Sequence, residues 1–306
     1  MNGRRLILGL GELLWDMLPD GPRLGGAPAN FTVMAGRLGN HAAILSRIGF
    51  DELGRRATER MKELRADAGF LQVDPAHATG RVAVEFERGQ PSYTIHRPAA
   101  WDFLELSNEW ARLVARADAV CFGSLAQRNG ESRETIQRLL AQTSERCVRV
   151  FDVNLRAPFY CGEVIRGSLE LATVAKMNDA EVPLVLEILG LETGGELRRS
   201  AERLLAEFPG LGMVAVTRGG EGSLLATKDK WHEHRGIPVK VADTIGAGDA
   251  FTAALTHYLL RGADLATLNE AGNRWGAWVA SQAGAMPELP DQVRAGIEAA
   301  IEASAG

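Results

Sequence analysis

The residue pattern predicts an α/β protein: a mainly parallel, doubly wound sheet with helices on both faces, making three layers. Three observations carry that expectation. Short apolar runs alternate with longer amphipathic segments from Leu6 to Thr217, the pattern of repeated βαβ units. After Asp249 the periodicity is helical alone. One stretch, residues 81–97, departs from the alternation and reads as a hairpin with no helix attached.

Taken in order, Leu6–Leu10 is an apolar run cut short by Glu12. A secretory apolar region needs about 7–15 residues, so the run reads as a first strand. Helix Asn30–Leu38, strand Ala42–Ile48 and helix Asp51–Arg65 follow. Within RVAVEFERGQPSYTIHR, Val82, Val84 and Phe86 share one face, Gly89, Gln90 and Pro91 make a turn, and Tyr93 and Ile95 resume the two-residue period. This hairpin is either an extra edge or a lid over a site or a contact between two copies. Strand Ala119–Phe122, helix Glu131–Gln142 and strand Val148–Val153 continue the alternation. Strands Val174–Met177 and Met213–Thr217 bracket helices Glu181–Leu189 and Glu196–Glu207. Helices Ala250–Leu260, Leu265–Gln282 and Gln292–Ala303 complete the pattern, with no internal repeat or linker.

Composition narrows the function classes. A chain of 306 residues, 46% hydrophobic and 24% charged, buries a full core and can form one large α/β unit. A net charge of −5 argues against a nucleic-acid or anionic-membrane partner, which would need a basic stripe. No apolar run approaches the ~20 residues of a membrane span. Cys121, Cys147 and Cys161 form no CxxC pair and read as core or incidental thiols in a reducing compartment, the cytoplasm. The six histidines show no metal-ligand spacing.

The most informative stretch is Asp243-Thr-Ile-Gly-Ala-Gly-Asp-Ala-Phe251. Gly246 and Gly248 flank Ala247, and a helix follows in which Phe251, Leu255, Tyr258 and Leu259 recur at helical spacing. Glycines let several N–H groups converge, and the helix start adds partial positive charge, so the turn suits a phosphate or the charge of phosphoryl transfer. Asp249 is either an N-cap or the carboxylate that accepts a hydroxyl proton beside that anion hole.

DTIGAGDAF resembles the C-terminal signature of the ribokinase-like (PfkB-type) carbohydrate kinases, and Gly25-Gly-Ala-Pro-Ala-Asn30 resembles their N-terminal signature. The resemblance runs from about Leu8 to Pro287. It implies a ribokinase-like core near 1–11, 29–78 and 100–306, with a small β lid near 12–28 and 79–99, and ATP and Mg²⁺ as cofactors, with K⁺ an open question. Asp249 would be the base, and Gly246, Ala247 and Gly248 the anion hole. Asp16, Gly25, Gly26 and Asn30 would receive the sugar. Arg97 from the lid, and Gln127 or Arg128 of the segment Gly123–Arg128, could reach it.

On the nucleotide side, the resemblance assigns Asn178 and Glu181 as an NxxE motif, with Glu181 acting through water on Mg²⁺. Asp152 and Arg156 would join the metal and phosphate network. Thr217, Gly219, Gly220 and Gly222 would pass the ribose and phosphates, Gly248 would line the same floor, and Asn273 would border adenine. Asp243, with carbonyls near Ile245 and Ala283, resembles a monovalent-cation site. The segments GELLWD, GSLAQR and DVNLR pull toward the fructokinase-like branch, so fructose is the expected acceptor. A 2-keto-3-deoxygluconate, ribose or nucleoside kinase remains the alternative, as does a sugar sensor on the same fold. A homodimer through the lid is a further expectation. A dinucleotide reading fails because Leu14 replaces the third glycine of Gly9-Leu-Gly11.

Overall fold

The computed structural model describes residues 4–87 and 90–304. Its first part contains β1 (Leu6–Leu10), β2 (Leu14–Leu18), β3 (Gly21–Gly25), α1 (Ala27–Arg37), β4 (His41–Leu45), β5 (Arg47–Gly49), α2 (Glu52–Glu63), β6 (Gln72–Asp74), β7 (Gly80–Glu87) and β8 (Gln90–Ile95). Then come α3 (Asn108–Val114), β9 (Ala119–Gly123), α4 (Gly130–Leu140), β10 (Val148–Asp152), α5 (Gly162–Leu171), β11 (Val174–Asn178), α6 (Glu181–Ile188) and α7 (Leu197–Glu207). The last part holds β12 (Met213–Thr217), β13 (Ser223–Ala226), β14 (Trp231–His234), α8 (Ala247–Leu259), α9 (Leu265–Ala280) and α10 (Asp291–Ser304).

The central sheet has eight strands in the order β14-β13-β12-β11-β10-β9-β1-β4. It is parallel from β4 to β12, and β13 and β14 add an antiparallel edge. Neighbouring residues send side chains to opposite faces. Leu8, Phe122, Phe151 and Ala175 pack with Trp110 of α3, Leu139 of α4, Ile165 of α5 and Leu204 of α7. Ile7, Cys121, Val150 and Val174 pack with Phe31 of α1, Phe251 and Leu255 of α8 and Trp275 of α9. Burial on both faces explains why these strands read as continuous apolar runs. The chain leaves β1 toward β4 on one side and enters β9 on the other, so the strand order switches there, and ligands of open parallel sheets bind at such a point.

A second sheet, ordered β3-β2-β7-β8, rises from the carboxyl end of β1. Leu13 and Trp15 anchor it on Val33, Ile44 and the apolar face of α2, and the Trp15 indole N–H donates to Leu53 O at 3.0 Å. The expected turn at Gly89-Gln90-Pro91 needs correction. Gln90 and Pro91 belong to β8, opposite Glu87 and Phe86, while Gly89 lies outside the described residues. Pro91 is tolerated because β8 is an edge strand, where a missing N–H breaks no inner ladder.

Other elements and boundaries also differ from the sequence pattern. The run Ala42–Ile48 splits at Ser46, after which β5 leaves the main sheet and pairs with β6. The short helices α3 and α5 and the edge strands β13 and β14 lacked a strong periodic signal. Helix α8 starts at Ala247 rather than Ala250.

Candidate active site

Gly246 is the N-cap of α8 and sits in the left-handed region, φ 80°. A Cβ there would lie 2.7 Å from the backbone of Ala285, so both conformation and space demand glycine. Asp249 therefore occupies the first turn of α8, third from the helix start, and is not its N-cap. It is half-buried at the carboxyl ends of the central strands. Asn30, on α1, donates Nδ2 to Asp249 Oδ2 at 2.7 Å, which joins the two glycine motifs across 219 residues of sequence. Removal from water, then the negative charge of Asp152, push the Asp249 carboxyl up to about 6, against the pull of Lys176, Asn30 and Arg156.

Lys176, on β11, joins the candidate site, although the sequence pattern singles out only Asn178 and Glu181 in its segment. Its Nζ lies 3.1 and 3.2 Å from the two carboxylate oxygens of Asp152, and a Cβ on Gly248 would come within 2.9 Å of it. The Thr252 hydroxyl of α8 lies 3.2 Å from Asp152 Oδ2 and 2.9 Å from Gly248 O. Burial alone would lower the Lys176 pKa, but Asp152, Asp249 and Glu181 raise it overall. A buried ammonium thus stays charged directly beneath the glycine turn. A lysine inside an apolar strand was the available signal, because such a charge needs a partner.

Asn178 and Glu181 form a reciprocal cap at the start of α6. Asn178 Oδ1 accepts the Glu181 N–H at 2.9 Å, and Glu181 Oε2 accepts the Asn178 N–H at 2.8 Å. Glu181 Oε1 also accepts the Leu155 N–H at 2.7 Å, tying α6 to the loop after β10. Burial raises the Glu181 pKa. Each oxygen retains a lone pair, so the carboxylate could still meet a hydrated cation. Asp243 Oδ1 accepts the Ile245 N–H at 3.0 Å and Oδ2 the Gly284 N–H at 3.1 Å. It ties the glycine turn to the loop after α9.

Asp16 projects from β2, and the absence of a side chain at Gly25 makes room for it: a Cβ there would lie 2.7 Å from Asp16 Oδ2. Gly26, φ 105°, would strike Glu12 O at 2.4 Å if it carried a Cβ. Burial raises the Asp16 pKa while Arg156 pulls it down. Arg156 is exposed and forms no ion pair among the described residues, yet its charge is felt by Glu12, Asp16 and Asp249 alike.

Three side chains expected at ligand contacts are engaged by partners within the fold. Gln127 is 1% exposed, and its Nε2 donates to Gly123 O and Ser168 Oγ, both at 2.9 Å. Its amide nitrogen is thus spent inside the fold, while its Oε1 is buried without a partner among the described residues. Arg128 is likewise buried, paired with Asp102 at 2.7 and 2.8 Å and stacked 3.9 Å above Trp101. Asn273 spends its Nδ2 on Ser223 Oγ and Asn269 O, both at 2.7 Å, which holds α9 on β13.

Arg97 is exposed, with its guanidinium 5.7 Å from the ring of Phe159 in the loop that carries Arg156. Thr217 ends β12. Gly219 and Gly220 follow in the open, with nothing near a built Cβ, whereas at Gly222 a Cβ would meet His234 O at 2.0 Å. Gly222 thus serves the close approach of β13 to the loop after β14.

The pfkB family carbohydrate kinase model matches residues 22–292. Fructokinase of Escherichia coli is 28% identical over 313 residues, covering 92% of this chain and 95% of that protein. A double mutant of Vibrio cholerae fructokinase, solved with fructose, ADP and potassium ion, has a TM-score of 0.81 and 28% identity and covers all of both chains. An uncharacterized sugar kinase from Pyrococcus horikoshii, solved in complex with ATP, has a TM-score of 0.81 and 28% identity over 98% of this chain and 100% of that one. The glycine turn at Asp249 and the Gly25–Asn30 turn that meets it thus sit in a matching sequence and a matching fold: the chain belongs to the pfkB family of carbohydrate kinases.

Proposed function

We propose that this chain transfers the terminal phosphate of ATP to a primary hydroxyl of a sugar, fructose first, with Asp249 as the base. The observation that carries the reading is Asp249 in the first turn of α8, held through Oδ2 by Asn30 beside the glycine turn. With the sugar hydroxyl against Asp249, the carboxylate takes its proton as the oxygen attacks phosphorus. The N–H groups of the turn and the Lys176 ammonium beneath it oppose the charge that builds on the phosphoryl oxygens. Asp16 and Asn30 orient the sugar, and the glycines at 25 and 26 let the backbone come close. Thr217, Gly219, Gly220 and Gly248 face the nucleotide on this reading.

Glu181 would hold Mg²⁺ through water, and the ion would supply positive charge against the nucleotide phosphates. A monovalent cation would sit by Asp243. The second sheet acts as a lid that keeps water from the phosphate, and as the surface through which two copies pair. Kinship to fructokinases favours fructose, although burial of Gln127 removes one expected sugar contact.

A second reading, a 2-keto-3-deoxygluconate kinase, is favoured by one observation: Arg97 and Arg156 are both exposed and free of ion pairs among the described residues, a cation pair suited to an acid substrate. ADP release measured with fructose, ribose, adenosine and 2-keto-3-deoxygluconate decides between them. Fructose should give the highest kcat/KM. A higher value for the acid would transfer the assignment, and no ADP release with any sugar would sink the kinase reading.

A further inference from the structure

The hairpin of β7 and β8 joins the core at two feet, and both stand on one buried guanidinium. At the first foot Gly80 opens β7 against Trp101, and a Cβ on Gly80 would strike the indole nitrogen. At the second, β8 ends at Ile95 and the His96 carbonyl accepts from Arg128 Nη2 at 2.8 Å. The feet are tied across: the His96 N–H donates to Arg81 O at 3.1 Å, and the Ala100 N–H to Ala78 O at 2.8 Å. Arg128 follows β9, and its Cζ lies 3.9 Å from the centroid of the Trp101 ring and 4.8 Å from that of Phe159, in the loop after β10. The Arg97 guanidinium lies 5.7 Å from the same Phe159 ring. Asp102 balances the charge of Arg128 through bonds of 2.7 and 2.8 Å, and its Oδ2 also accepts the Ala99 N–H at 2.9 Å. The side chains of Arg128 and Asp102 are 5% and 3% exposed.

A buried ion pair gains little stability over apolar side chains of the same volume, so stability alone is no reason for this arginine. What an apolar side chain cannot supply is direction. The planar fork sets Asp102 and the His96 carbonyl at fixed angles while its faces meet aromatic rings. We propose that Arg128 is a positioning residue for the acceptor: it latches the β7–β8 hairpin to the core and so sets where Arg97 stands. The proposal rests on the reading of the second sheet as the lid of a sugar kinase. Arg128 touches neither acceptor nor nucleotide on that reading. It acts through His96, the neighbour of Arg97, and through Phe159, which Arg97 also faces. The glycine turn before α8 and the loop after β12 belong to other elements, so a loosened latch disturbs the acceptor side and spares the nucleotide side.

Two variants of the full chain test it. Arg128→Lys keeps a positive charge beside Asp102 but loses the fork. Arg128→Met combined with Asp102→Asn removes both charges together, so that neither is left buried alone. Each is followed by hydrogen exchange and by kinetics with fructose, ribose, adenosine and 2-keto-3-deoxygluconate. Peptides spanning Gly80–Glu87 and Gln90–Ile95 should exchange about tenfold faster or more in both variants, while those spanning β9 and β10 keep the parent rate. The KM of the best acceptor should rise by about tenfold or more, with the ATP KM within about threefold. Unchanged exchange in the hairpin, exchange that quickens equally in the central sheet, an acceptor KM that stays level, or acceptor and ATP KM that rise together overturns the proposal. A parent chain that phosphorylates none of the four acceptors sinks the kinase reading instead, and the exchange comparison then decides the latch by itself.

Discussion

Two polar clusters meet at Asp249, and they are built on opposite terms. On the side of β10 and β11, almost every charge is compensated: Asp152 holds Lys176 and Thr252, and Glu181 accepts two backbone N–H groups. On the side of β2 and α1, the groups are left wanting. Glu12 Oε2 and Asn30 Oδ1 are buried without partners, and Arg156 forms no ion pair among the described residues. A buried polar atom without a partner costs roughly 1–3 kcal/mol, a cost that a bound ligand can offset. The compensated cluster is scaffold, set before any ligand arrives. The uncompensated one is where a hydroxyl-rich acceptor would complete the hydrogen bonding.

The sharpest way to break this comparison is at the point the clusters share. Asp249→Asn should lower kcat by about 10²–10⁴ while the ATP dissociation constant stays within a few-fold, because loss of a general base acts on the transition state. Retention of more than a tenth of the parent kcat would remove Asp249 from the chemistry.

On the scaffold side, Gly246→Ala forces a side chain into a left-handed position and against Ala285. A drop in kcat of about 10², with a stability loss of about 1–3 kcal/mol, is expected from strain in the anion-binding turn. Turnover and thermal unfolding of the same preparation check it, and unaltered turnover would mean the turn does not bind the phosphoryl group.

On the uncompensated side, Asp16→Ala should weaken sugar binding by about 10–100-fold, the ~1.5–3 kcal/mol of a charged hydrogen bond, and leave ATP binding within about twofold. Separate titrations with each ligand distinguish this from a folding defect, which would weaken both.

The pH dependence tests the electrostatic meeting of the two sides. Asp249 must be ionised to accept a proton, and its carboxyl is raised to about 6. Below that pH kcat should fall toward tenfold per unit, and above it level off. A limb that stayed near pH 4, the ordinary carboxylate range, would show that burial and Asp152 do not control it.

The smallest effect is expected at Gln127. Gln127→Leu should cost about 1 kcal/mol of stability through the lost bonds to Gly123 and Ser168, and leave the sugar KM within about twofold. A large rise in KM would return Gln127 to the acceptor site.

The sequence by itself determined the layered α/β architecture, since doubly buried parallel strands and one-sided helices leave different periodicities. It also located the turn at Gly246–Asp249 and the Gly25–Asn30 turn, because backbone conformation and close approach restrict those positions to glycine in a way visible one residue at a time. Tertiary structure decided what each long polar side chain does. Gln127, Arg128 and Asn273 sit in segments that end near the site, but their partners, Ser168, Asp102 and Ser223, come from other elements and turn them inward. Lys176 acquires its meaning the same way, from Asp152 on the adjacent strand. A side chain's direction depends on which neighbours the fold supplies, and for these residues the neighbours lie 24 to 50 positions away along the chain.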